Sequence, residues 1–114
     1  MADKFELDKT LILERLGGDL DLFGVMADMY LQDWGNYSRQ IGEALAAANG
    51  PVLARHAHTI KSLLATFADQ TGAALAARTE MRAKEGRIEE LSGPVAEIQE
   101  RLRLVAVALE KELA

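Results

Sequence analysis

Cysteine is absent from the 114 residues, which removes disulfide staples, thiol nucleophiles and thiolate metal sites together. Proline occurs only twice, so a proline-rich linker or fibre is excluded. Long basic runs are missing too. A formal net charge of −5 therefore stands unopposed and would repel a phosphate backbone, so nucleic acid is not expected as a partner. Uninterrupted apolar stretches such as Leu104 to Leu109 reach about six residues, against roughly 20 for a membrane-spanning helix. The first eight residues carry acids and lack the basic start and apolar stretch of a signal peptide. Together these absences lead to the expectation of a cytoplasmic protein without a membrane partner. Neither a Gly-x-x-x-x-Gly-Lys loop nor a glycine-rich nucleotide lid is present, so the chain is not expected to be an enzyme that phosphorylates itself from nucleotide.

What is abundant is apolar and helix-forming. Hydrophobic residues make up 49% and charged residues 27%, enough apolar surface for one packed core in one domain spanning 1–114. Asp8 can cap a short helix carrying Leu11, Ile12 and Leu16, and Gly17-Gly18 supplies the left-handed conformations that end it. Asp19 is a fresh cap. Beyond it Phe23, Met26, Tyr30, Trp34, Tyr37, Ile41, Leu45 and Ala48 recur at steps of three and four as far as Asn49-Gly50. Pro51 suits the first turn of a third helix, with Leu53, Ala57, Ile60, Leu64 and Phe67 on one stripe. A weaker pattern of Leu75, Ala77 or Arg78, and Met81 predicts a fourth helix ending at Lys84-Glu85-Gly86. Ser92-Gly93-Pro94 can restart a fifth, with Val95, Ile98, Leu102, Val105, Leu109 and Leu113 facing inward. Five segments, short turns and no period-two stretch predict an all-α fold: an up-down four-helix bundle with an additional short N-terminal helix.

The two histidines lie on the third helix, and at 100° per residue they point in different directions. With Leu53 at zero, the core stripe spans about 320° to 40°, His56 falls near 300° and His58 near 140°. His56 should border the core and His58 should face water. Ala54 and Ala65 lie on the same outer arc, with Lys61 at i+3 and Ser62 at i+4. The imidazole is thus expected on a low surface of small residues with a cation beside it. A neutral imidazole nitrogen is a competent nucleophile, and phosphoryl transfer needs in-line access and compensation of negative charge on the phosphoryl oxygens. An accessible His58 and Lys61 would meet those two needs. The same pair also fits a merely solvated helix face, and spacing alone does not separate the two readings.

The run Ala57-His58-Thr59-Ile60-Lys61 resembles the signature of histidine-containing phosphotransfer (HPt) domains, usually Ala-His-x-Leu-Lys-Gly. It stands on the third helix of a five-helix pattern, as in that family, and the resemblance covers nearly the whole chain. It implies a phosphorelay intermediate in which His58 accepts a phosphoryl group from a receiver aspartate or a histidine kinase and donates it to another receiver aspartate. Lys61 would offset phosphate charge, and Ala54, Ser62 and Ala65 would form the floor on which the receiver docks. No cofactor is implied, divalent metal would belong to the receiver, and the chain would act as a monomeric phosphocarrier. The sequence leaves the family pattern at Ser62, where glycine is usual, at Leu63-Leu64, and at Ala68-Asp69, which replaces a common Gly-Ala. The altered glycine position at Ser62 motivates the alternative of an HPt-like bundle that only binds or sequesters a receiver; a purely structural bundle or dimerisation unit is the third reading.

Other features are weaker. Histidines at i and i+2 cannot share one metal from one helix face, and no Glu-x-x-His spacing exists, so no metal site is expected. Gly24, Gly35 and Gly42 fall on one line of the second helix, which fits either tight packing against the first helix or a docking groove. Tyr30, Trp34 and Tyr37 keep the core period and are expected to pack rather than to stack on a ligand.

Overall fold

The computed structural model describes residues 5–114. Its elements are α1 (Lys9–Arg15), α2 (Leu20–Ala46), α3 (Gly50–Thr66), α4 (Gln70–Lys84), a 3-10 turn (Ile88–Glu90) and α5 (Ser92–Leu113). No strand occurs among the described residues. Each long helix packs on the next, α5 closes the ring onto α2 and α4, and α1 lies against α2. This is the expected four-helix bundle with its short extra helix.

Four of the five α-helices begin on a side-chain cap. Asp8 accepts from the Leu11 N–H, Asp19 from Leu22, Asn49 from Val52 and Asp69 from Gly72, at 2.9–3.2 Å. A carboxylate or amide oxygen there satisfies a donor that the helix cannot. The fifth differs from expectation. Ser92 is already helical, and the preceding Leu91 makes no side-chain cap. The Leu91 carbonyl instead accepts from Val95 at 2.9 Å, and its fully buried side chain pins the entry of the helix.

Two of the turns reuse one backbone device. At the end of α2, Ala48 adopts φ +52° and Asn49 N–H returns to the Ala44 carbonyl; at the end of α3, Ala68 adopts φ +61° and Asp69 N–H returns to Leu64. In both, a left-handed alanine closes one helix and the next residue caps the following one. The expected inward-facing Ala48 is therefore corrected: helix α2 ends at Ala46, and Ala48 is exposed in the turn.

The core joins Phe23, Tyr30, Ile41, Leu53, Ile60, Leu64, Phe67, Ile98, Leu102 and Leu109, among others. Tyr30 meets Phe67 edge-on at 5.2 Å between ring centroids, and its hydroxyl donates to the Leu102 carbonyl at 2.8 Å. Burial, and secondarily the charge of Asp69, pushes the Tyr30 phenol far above its ordinary pKa, so it remains a donor. Trp34 and Tyr37 pack partly buried against the same core, as their spacing predicted.

Two inward assignments, and the packing reading of the glycine line, are overturned. Met81 is 63% exposed, because α4 instead turns Leu75, Ala76, Thr79, Glu80 and Ala83 inward. Thr79 tolerates this by donating to the Leu75 carbonyl at 2.9 Å, so its buried hydroxyl is not left unpaired. Leu113 is exposed in the last turn of α5. The glycine line on α2 is not a packing seam with α1: a Cβ at Gly24 or Gly35 would meet nothing within 4 Å. At Gly42 a Cβ would lie 2.9 Å from Gln99 Nε2, which donates to the Ser38 carbonyl, so the close approach there is by α5.

Candidate functional site

His58 stands near the middle of α3 with its side chain 60% exposed, while His56 is only half-buried beside the core. The imidazole is not free. Its Nδ1 lies 3.2 Å from both carboxylate oxygens of Glu80, which rises from α4 with a side chain only 10% exposed. Lys61 Nζ lies 3.5 Å from the Oε1 of the same carboxylate, and Lys84 Nζ lies 3.0 Å from its Oε2. One buried acid thus gathers a histidine and two lysines from the α3–α4 pair.

Burial alone would push the Glu80 carboxyl up. Hydrogen bonds from Lys84 and His58, with the charges of Lys61 and Lys84, outweigh that and hold it below its ordinary value. Glu80 is therefore ionised at neutral pH and can only accept. The hydrogen between it and the ring belongs to His58 Nδ1, and in the neutral ring that assignment leaves Nε2 unprotonated with a free lone pair.

Of the residues singled out from sequence, Lys61 reaches the His58–Glu80 pair, and Ser62 and Ala65 lie exposed on the outer face of α3. The Ser62 hydroxyl lies 3.5 Å from the His58 carbonyl, while the Ala65 carbonyl accepts from Arg15 Nη1 of the α1 end at 3.1 Å. Ala54 requires correction. It is 4% exposed rather than open beside the imidazole, because the wide face that α3 gives to α4 extends past the apolar stripe and covers it.

Glu80 and Lys84 escaped the sequence reading. A signal for Glu80 did exist. His58 precedes Asp69 by eleven residues and Glu80 follows it by eleven, so an antiparallel hairpin hinged at that cap sets the two level. Lys84 then follows one turn after Glu80 on the same face.

An antiparallel helical bundle with an accessible imidazole and lysines on one helix pair is the arrangement expected of a histidine phosphotransfer module. The chain belongs to the Hpt domain family, whose model matches residues 25–112. Among solved structures it is similar to histidine-containing phosphotransfer protein B from Pseudomonas aeruginosa PAO1, with a TM-score of 0.83, 19% identity, and 93% of this chain and 92% of that one covered. It is similar also to the HPT domain of a sensor hybrid histidine kinase from Shewanella, with a TM-score of 0.82, 20% identity, and coverage of 94% and 92%. These likenesses establish the fold. No curated protein matches the chain in sequence. Histidine phosphotransfer within a phosphorelay is the role of this domain, and its kind works with histidine kinases and receiver domains. No helix among the described residues is long and apolar enough to cross a membrane.

Proposed function

We propose that His58 is the phospho-acceptor and that Nε2 is the atom that carries the phosphoryl group. The observation that carries this reading is the Nδ1 contact with buried Glu80, which fixes the tautomer and turns an exposed ring into an oriented nucleophile. In the forward step the Nε2 lone pair attacks phosphorus of a receiver aspartyl phosphate. The N–P bond forms as the P–O bond to the aspartate breaks, and the carboxylate leaves with that electron pair. The phosphorylated ring, still protonated at Nδ1, is an imidazolium, and the Glu80 charge beside it offsets the positive charge. Donation to a second receiver aspartate is the reverse sequence. No nucleotide enters either step, so the chain acts as a carrier and not as a kinase.

Lys61 and Lys84, the two lysines gathered on Glu80 beside the ring, are the groups proposed to offset the charge of the phosphoryl oxygens. Both spend the resting state on Glu80, and the incoming phosphate gives them a second anion to share. Ser62 and Ala65 supply the low outer surface on which a receiver comes down. Incubation with phosphoramidate, followed by mass spectrometry, tests the assignment. One acid-labile, alkali-stable phosphate on His58 is expected, and label on His56 or on no histidine would overturn it.

A further inference from the structure

Beside His58 the surface is concave. An open depression of about 860 Å³ runs between the first half of α3 and the last turn of α4, reaching the 3-10 turn, and His58 and Glu80 stand among its walls. Ala54 and Ala83 are buried in its floor, and Ile88 packs on the core beneath it. Its far end is held tight. A Cβ at Gly50 would lie 3.0 Å from the Ala83 carbonyl, so α3 starts in direct contact with the end of α4.

The charge of this depression is opposite to that of the chain. Net charge is −5 overall, yet Arg55 and Lys84 line the hollow and its one carboxylate, Glu80, is already shared by His58, Lys61 and Lys84. Arg55 is exposed and stands one turn before His58, and its guanidinium has no ion-pair or hydrogen-bond partner among the described residues. A cation without a partner beside an apolar floor fits a segment that carries both a carboxylate and an apolar contact.

We propose that the depression receives an acidic segment of the partner receiver domain, adjoining its phosphoryl-bearing aspartate, and that Arg55 pairs with a carboxylate of that segment. The proposal rests on His58 being the carrier, because a receiver whose aspartate meets Nε2 must lie over the ground around that ring. Charge complementarity selects this flank: an aspartyl phosphate centre is anionic, and the field of Arg55 and Lys84 steers it inward from an otherwise repulsive surface. Arg55 then sets affinity and partner choice and takes no part in the bond exchange.

The test uses the whole chain and the receiver domain that exchanges phosphate with it fastest in a pairwise transfer profile. Arg55→Glu and, independently, Pro51→Glu place a negative charge on the depression, and Pro51 lies exposed in the first turn of α3, where an acid is compatible with the helix. Circular dichroism checks that both remain folded. Each variant should take label from phosphoramidate within about twofold of wild type, since that donor needs no docked surface, while KM for the receiver rises roughly tenfold with kcat little changed. Arg55→Lys should keep most of the affinity, and salt should weaken wild type more than Arg55→Glu. Unchanged receiver KM in both folded glutamate variants would overturn the groove and leave the carrier reading intact. A wild-type chain that takes no label on His58 would overturn the carrier reading first and the groove with it. Dimerisation of the wild type that both variants abolish would give the depression to a second copy of the chain and overturn the proposal.

Discussion

Both carboxylate oxygens of Glu80 stand 3.2 Å from His58 Nδ1, on a helix that the sequence pattern marks as the least apolar of the set. A charge so nearly covered by protein persists because three cationic or donor groups converge on it. Replacing Glu80 by Gln keeps the shape and an acceptor oxygen but removes the charge that offsets the phospho-imidazolium. Phosphoramidate labelling of His58 should slow about tenfold, a loss of roughly 1.4 kcal/mol in the barrier. Labelling at the wild-type rate would show that Glu80 is only a structural anchor.

The same carboxyl makes stability depend on pH with a definite sign. Its folded pKa lies below the ordinary 4.5, so the ionised form is favoured by folding. That contribution is fully present above the unfolded value and is lost as pH falls through the folded one. The difference in urea midpoint between wild type and Glu80→Gln should therefore change below about pH 4.5 in the direction of a less stable wild type. A difference that does not move with pH would separate Glu80 from the acid response.

His58 itself should be dispensable for folding. Its side chain is largely exposed and lies outside the core cluster, so His58→Gln should change the melting temperature by no more than a degree or two while abolishing the label. His56→Gln should retain it. Label surviving in the His58 variant would reject the acceptor assignment, whatever the receiver.

The fold was legible because its signals are local. Asp8, Asp19, Asn49 and Asp69 are short polar side chains at the four places where a run of helical period begins, and each accepts from its own first turn. The exposure of His58 was legible for a similar reason, since a helical angle places an exposed residue without knowledge of the neighbours, whereas its role was suggested only by the resemblance to the family. Glu80 was not, because an apolar stripe marks only those buried positions that are greasy, and α4 buries Thr79 and Glu80 with their polar atoms satisfied. Ala54 failed for the converse reason. An angle measured from the apolar stripe does not say how wide a face the neighbouring helix will cover.

The left-handed turn at Ala68, whose methyl packs partly buried against the core, sets backbone strain against a small packing contact. The resemblance to the family places a common glycine at this position, and alanine at φ +61° keeps its Cβ against the following carbonyl. Ala68→Gly should relieve that strain and stabilise the bundle by about 1 kcal/mol, read as a higher urea midpoint with an unchanged slope. The equivalent change at exposed Ala48, with φ +52°, should act in the same direction. Destabilisation at both sites would mean that the lost side-chain packing and the entropy of glycine outweigh the backbone strain.

Asp69 and Arg101 carry the largest predicted effect. Their side chains are 1% and 7% exposed, Arg101 Nε donates to Asp69 Oδ2 at 3.0 Å and Nη2 donates to Oδ1, so the pair clamps the α3–α4 turn to α5. Asp69 also caps α4, and its carboxylate sits so close over that first turn that a Cβ at Gly72 would collide with it. Truncating Arg101 to Ala leaves this carboxylate buried without its counter-charge, and the cost should be about 3–5 kcal/mol. Asp69→Asn keeps the cap but removes the charge. The double change Asp69→Asn with Arg101→Met removes both charges while keeping the cap and most of the arginine's apolar volume. It should recover a large part of the loss, because two desolvated ions are then replaced by a polar cap and an apolar stem. Urea unfolding of the two single variants and the double closes the cycle. A double variant as unstable as the sum of the singles would show that the two side chains act independently, and that the turn is held by its cap and by Phe67 and Leu64 beneath it rather than by the ion pair.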